Sequence, residues 1–297
     1  MEMKEKYRLR DRTLRVMTED GAFRVSVLKA TDMVNHARTR HQTNPAGSVI
    51  LGEMLMGVLL AASNLKAEER ISIRLEVNGE IKSALVEANM AGEVRGYLGN
   101  PNPIPQGNTP EENIKNAIGI GLMHVTRTLY NQARPVHSTV MLEHSNIAKD
   151  LTHYFAVSEQ IPASIRLDIR FNPDFSIRHA MGFMVQAMPG ADEEAIIEIE
   201  NNIIDLPHPS EIIDNGGYLD EIMTSLLKGR NYQELSRTPV DFFCRCSKEK
   251  FLSSLLLLNP DELNSLNNEQ EELRCHYCNE KYMISHEEIQ ELMHERK

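Results

Sequence analysis

Four cysteines in the last fifth of the chain limit what it can fold into more than any other feature. They form two tight pairs, Cys244-Arg-Cys246 and Cys275-His-Tyr-Cys278, and residues 1–243 contain no other thiol. Two such pairs joined by a loop supply the four sulfurs of a tetrahedral zinc site, one ion per chain. The C-x-x-C half is a common knuckle. The C-x-C half is expected to need a sharp turn before both of its thiols can face one metal. Three uses of the cysteines compete. One is a structural site that only holds a small domain together. Another is a stable disulfide framework. The third is a redox switch, in which zinc holds reactive thiolates until oxidation makes disulfides and the metal leaves. The charged start, residues 1–12 (MEMKEKYRLRDR), has no apolar stretch of the export kind, which disfavours a disulfide framework and points to the cytoplasm. Spacing does not separate the first use from the third. A catalytic zinc is the weakest reading, because four thiolates leave no position for water or substrate.

With 297 residues, 41% of them hydrophobic, the chain can hold one large domain and one small one. No apolar run reaches the roughly 18 residues that span a bilayer. The net charge of −11 argues against a nucleic-acid or anionic-membrane surface. Nearly all of that charge sits in one place. Between Arg178 and Lys228 there is no Lys or Arg, but there are ten acids, from Asp192 to Glu221.

Residues 1–180 are expected to form a mixed α/β layered domain, so the fold class is α+β. Phe23, Val25 and Val27 alternate with polar residues, as in a half-buried strand. Residues 48–65 are too apolar all round for a surface helix and should cross the core, with Asn44-Pro45 at the start. Ile71, Ile73, Leu75 and Val77 alternate up to an Asn78-Gly79 hairpin turn, and residues 81–88 return. Residues 146–158 read as a helix and 165–171 as a strand. Residues 181–232 form a helical acidic linker, with helices over 192–204 and 211–227. Ile196, Ile197, Ile199, Ile203 and Ile204 lie on or near one face of the first. Pro207 and Pro209 separate the two, and Gly216-Gly217 weakens the second. Like charges such as Glu194 and Glu198 destabilise these helices in isolation. They are therefore expected to be helical only when docked on something apolar. Residues 233–297 form the small zinc-binding domain. Gly119-Ile-Gly121 is only a fragment of a nucleotide fingerprint. His276 and His286 are expected outside the ligand set, and most of the fifteen methionines in the core.

Several stretches then carry a resemblance. They are Leu51-Gly-Glu53, Gly92-Glu-Val-Arg-Gly-Tyr97, Ile147-Ala-Lys-Asp-Leu151, Tyr154-Phe155, Ser158-Glu-Gln160, Val185-Gln-Ala-Met-Pro-Gly190, Phe243-Cys-Arg-Cys-Ser247 and Cys275-His-Tyr-Cys278. In this order and over nearly the whole length, the chain resembles the redox-regulated heat-shock chaperones of the HslO type, the thirty-three-kilodalton chaperonin family. It departs from them over residues 119–125 and 135–142, and in a linker more one-sidedly acidic. The resemblance implies a cytoplasmic holdase that is not an enzyme. Its reduced form would be an inactive monomer with Zn2+ on Cys244, Cys246, Cys275 and Cys278. Oxidation would join Cys244 to Cys246 and Cys275 to Cys278, expel zinc, unfold the linker and expose a surface for unfolded client proteins, in a homodimer. The linker isoleucines are candidate client-binding residues. The alternative is a zinc-ribbon protein that binds nucleic acid or a translation factor. From Lys228 onward, 10 Lys and Arg stand against 13 Asp and Glu, a net of −3, which argues against it.

Overall fold

The computed structural model describes residues 10–66, 68–130, 134–259, 262 and 270–295, so residues 1–9 of the charged start lie outside it. The chain divides into two compact units, residues 1–242 and 243–297. The first runs β1 (Arg12–Thr18), β2 (Phe23–Lys29), α1 (Thr31–His41), α2 (Pro45–Ala62), β3 (Arg70–Val77), β4 (Ser83–Asn89), β5 (Glu93–Leu98), α3 (Pro110–Ile118), β6 (Gly121–Thr128) and β7 (Val136–Met141). It continues with α4 (Ile147–Val157), β8 (Ala163–Phe171), β9 (Ile177–Ala187), α5 (Glu193–Asp205), α6 (Pro209–Asp214), α7 (Leu219–Leu226), β10 (Tyr232–Pro239) and β11 (Asp241–Phe242). One sheet has the order β10-β1-β2-β9-β8 and the other β11-β5-β4-β3-β6-β7. Every pairing in them is antiparallel except β11 with β5. Helices and strands are mixed without a βαβ repeat, so the class is α+β.

Helix α2 lies in the core, packed against strands of both sheets. Asn44 starts it by accepting from the Gly47 N–H, and Pro45 occupies the first turn, where its missing N–H costs nothing. Among the described residues it is the one helix long and apolar enough to cross a bilayer, but 78% of that window is buried inside the protein. The turn-rich loop after β5 wraps its start, with the Asn102 side chain accepting from the Asn44 N–H and the Pro103 carbonyl from the Asn44 amide.

Strand β2 is not half-buried. Phe23, Val25 and Val27 are covered as expected, as is Lys29 on the same face, but so are Ser26 and Leu28 on the other. The alternation reflects one face only, because α2 packs on this sheet from one side and linker residues from the other. The connection from β3 to β4 is also longer than a two-residue hairpin. Glu76 pairs with Ser83, and Asn78 and Gly79 bond to Ile120 and Ile118 instead. Gly119-Ile-Gly121 has a structural role. Gly119 ends α3 at φ +69°, a left-handed value that glycine adopts at little cost.

The linker expectation and the structure divide the chain differently. Strand β9 continues to Ala187, so residues 181–187 belong to the sheet. Strand β10 pairs with β1, and β11 with β5, so residues 233–242 belong to the first unit. Strand β10 is a polar edge strand, mostly exposed, and no hydrophobic pattern marks it. Its continuation is pinned by Phe242, which meets the rings of His36 and His41 edge-on.

One partly buried acid breaks the apolar pattern of α2. Part of Glu53 in α2 reaches solvent, but its Oε2 is buried with no hydrogen-bond partner. Burial, and after it the charge of Asp168, push its pKa up to about 8. A carboxyl raised above its unfolded value of 4.5 binds more protons in the folded state. Its contribution is therefore intact below pH 4.5 and is lost as the pH rises toward 8. Glu53→Gln should flatten that decline when urea midpoints are compared across this range. Equal slopes in the two proteins would assign the decline to another group.

Candidate functional site

The second unit contains α8 (Lys248–Leu255), β12 (Gln270–Arg274), β13 (Lys281–Ser285) and α9 (His286–Glu295). β12 and β13 form an antiparallel hairpin closed by the pair of Arg274 with Lys281. Cys275 and Cys278 sit in its connecting turn. There the Asn279 N–H donates to the Cys275 carbonyl at 2.7 Å, and the Cys275 N–H to the Glu280 carbonyl at 2.9 Å. Asn279 takes a left-handed φ of 58°, which lets the chain double back.

Cys244 and Cys246 lie in the irregular segment before α8, and the expected sharp turn is not there. No turn is needed, because side chains two apart along an extended chain point to the same side. Ser247 then caps α8 by accepting from the Lys250 N–H.

The four Sγ atoms lie within 4.8 Å of one another. Cys244 and Cys275 are 3.8 Å apart and Cys246 and Cys278 3.4 Å, so the four are free thiols. Zn–S bonds of about 2.3 Å in a tetrahedron put sulfurs roughly 3.8 Å apart, so the spacing fits a metal ion. Neither His276 nor His286 contributes a nitrogen to the cluster.

The electrostatics fit as well. Burial pushes the Cys275 and Cys278 thiols up, and ionised neighbours push them further. Burial also opposes ionisation of Cys246, but hydrogen bonds from Tyr282 and the other thiols outweigh it and bring its pKa down. The Tyr282 hydroxyl lies 3.2 Å from that sulfur, and the Tyr282 ring packs against Phe251 at 5.2 Å between centroids. Four thiolates cannot share so small a volume without a multivalent cation. Among the described residues, little else holds the unit together. Ile284 and Ile289 are its buried core, with Leu252, Leu255 and Leu273 partly buried around them.

In the first unit, α5, α6 and α7 cover the outer face of the five-stranded sheet. Ala195, Ile199, Leu206, Leu219, Ile222 and Met223 pack on Leu14, Val16, Phe23, Val25, Val27 and Phe183. The expected second helix is two short ones, because Gly216 turns the chain at φ +82°. The five isoleucines do not share one fate. Ile199 is 3% exposed and Ile196 and Ile203 are partly buried, but Ile197 and Ile204 face solvent at 51% and 73%.

Sequence reasoning missed what holds these helices in place, because the partners come from distant segments. Arg166 of β8 donates to the carbonyls of Ile203 and Leu206, both at 3.0 Å, at the open end of α5. Asp168 accepts from the Ser210 N–H at the start of α6. Arg230 reaches Glu198 at 2.6 Å, Arg178 and His179 reach Asp214 at 2.7 Å, and Arg237 pairs with Asp220. These supply the cations that α5, α6 and α7 lack.

The family profile described as Hsp33 protein matches residues 11–285. A 33 kDa chaperonin of Desulforamulus reducens is 35% identical over 289 residues, 96% of this chain and 98% of that protein. One from Enterococcus faecalis is 34% identical over 291 residues, 97% of each chain. The crystal structure of the 33 kDa chaperonin (heat shock protein 33 homolog) of Thermotoga maritima superposes with a TM-score of 0.89 at 30% identity, covering 97% of this chain and 99% of that one. With the profile, the relatives and the fold in agreement over nearly its whole length, the chain belongs to the Hsp33 family of chaperones.

Proposed function

We propose that this Hsp33-type chaperone is an ATP-independent holdase of the cytoplasm, switched on by oxidation. The observation that carries the reading is the cluster of four thiols, none in a disulfide, in a unit with almost no other core among its described residues. In the reduced state Cys244, Cys246, Cys275 and Cys278 hold one Zn2+, which supplies a divalent charge for the thiolates and the cross-link that folds the unit. A site of this kind contributes roughly 10–16 kcal/mol, more than so thin a core can replace. Oxidation converts the thiolates to the disulfides Cys244–Cys246 and Cys275–Cys278, and two electrons per bond pass to the oxidant. No thiolate then remains to hold the metal, and the unit unfolds.

The linker is the second part of the switch. Cys244 follows Phe242 by two residues, so loss of order beyond Phe243 bears on β11 and β10. Once α5, α6 and α7 leave the sheet, its apolar face and the docked face of the linker (Ile196, Ile199, Ile203) are open to unfolded clients. Ile197 and Ile204 are exposed already and cannot report the change. The active form is a homodimer, and the protein binds neither nucleic acid nor membrane.

Three outcomes test this reading. Cys275→Ser should give up zinc to a chelator that leaves the wild-type protein loaded, and amide signals beyond residue 243 should collapse. Stoichiometric zinc retained under the chelator would sink the assignment. Peptide mapping after peroxide should find bonds within each pair, although sulfur contacts of 3.8 and 3.4 Å also run between pairs, 244 to 275 and 246 to 278. Mainly crossed bonds would contradict the pairing. Ile199→Ser should loosen the dock by about 2–4 kcal/mol and give partial holdase activity without oxidant, with faster amide exchange over 193–227. Ile204→Ser should do neither. Identical behaviour of the two variants would remove the docked face from the mechanism.

A further inference from the structure

A cavity of about 240 Å³ lies in the first unit, where the β1–β10 pair, the last turn of α2 and the turn between β4 and β5 meet. Its charge is unbalanced. Arg15 lines it, and no acidic side chain does. The guanidinium of Arg15 donates to the carbonyl of Ser63, while its Nε is buried without a partner. Arg24 on the neighbouring strand bonds to the amide oxygen of Gln186 and has no carboxylate partner among the described residues. Burial pulls the pKa of both arginines down, and the charge of Arg15 adds to the effect on Arg24. Both remain charged at any pH at which the protein folds. Proteins usually pair a partly buried guanidinium with an anion, because an uncompensated charge is costly.

The walls say which kind of anion fits. Thr13 stands opposite Thr238 and Arg15 opposite Ser236 across the β1–β10 pair, so hydroxyls flank the guanidinium on one face. Leu59, Met90 and Leu235 form an apolar side. Leu235 is the extra residue of the bulge opposite Arg15 and Val16 and is 41% exposed. A phosphate would leave that apolar side wet. A planar carboxylate matches the guanidinium fork, and an attached hydrocarbon group matches the leucines and methionine.

We propose that this cavity binds a small amphipathic carboxylate, its head on Arg15 and its apolar part against Leu59, Met90 and Leu235. Such a group occurs on a short free acid and at a polypeptide C-terminus ending in an aliphatic residue. The site lies within residues 13–238 and does not depend on the redox reading.

The test uses the full reduced chain labelled for NMR, with four probes: acetate, hexanoate, an acetylated tripeptide ending in leucine with a free carboxylate, and its C-terminal amide. Saturable shifts should appear at the Arg15 Nε–H and at the amides of Leu235 and Ser236, with hexanoate, the peptide acid or both. Acid without peptide identifies a free acid as the ligand class, and peptide acid without amide identifies a chain terminus. Arg15→Gln should weaken binding about tenfold or more, as loss of a charge-assisted contact predicts. Because Arg15 also bonds Ser63, Leu235→Glu serves as a second variant. It changes an exposed edge position and should abolish binding by repulsion while leaving the fold intact. No shift at Arg15 with any probe, equal binding of acetate and hexanoate, equal binding of the amide, or binding that survives Leu235→Glu would each overturn the proposal.

Discussion

The five-stranded sheet carries large apolar side chains on both faces, and neither face can be left to water. Leu28 and its neighbours on one side meet α2, while Leu14, Val16, Phe23, Val25 and Phe183 need a cover on the other. Side chains of this size contribute about 1.5–3 kcal/mol each when fully buried. The cover is three short helices of a strongly acidic segment without a Lys or Arg of its own. Helices of that length are marginal in water, and their like charges weaken them further. The sheet therefore orders the linker, and the linker's helicity is conditional on contact.

The second unit has the opposite composition of forces. The two isoleucines buried among its described residues cannot by themselves offset the conformational entropy of a unit this size. The four sulfurs can, if a metal joins them, because each metal–thiolate bond closes chain that nothing else closes. Those sulfurs are also the most oxidisable atoms of the unit. Cross-link and sensor would then be the same atoms, so oxidation would need no separate device to reach the fold.

Local signals were legible in the sequence. The apolar helix announced itself by being hydrophobic all round, its Asn44-Pro45 start by capping chemistry, and the thiol cluster by clustering alone. Signals that depend on distant segments were not. β10 is polar and belongs to a sheet only because β1 offers it an edge. The second face of β2 reads as polar in Arg24 and Ser26, yet Ser26 is buried, and Lys29 on the first face is buried because Asp11 takes its charge at 2.7 Å. Counting charges within the linker found no partners because Arg166, Arg178, Arg230 and Arg237 all lie outside its helices. The C-x-C pair was expected to need a turn, yet the segment before α8 brings both thiols into the cluster without one.

The way the linker is tied down also bears on how it can leave. Its polar fastenings sit at helix ends and at the rim: Arg166 on the last carbonyls of α5, Asp168 on the first N–H of α6, and ion pairs at exposed or partly exposed side chains. Exposed pairs of that kind contribute about 0–1 kcal/mol, and groups freed at a helix end find water at once. Undocking therefore strands few buried polar groups, and most of its cost is the apolar area uncovered. An unfolded client can cover the same area with its own apolar side chains. If the linker leaves as proposed, the free energy lost would thus be of the same kind as that regained on binding a client, and no nucleotide would need to supply the difference.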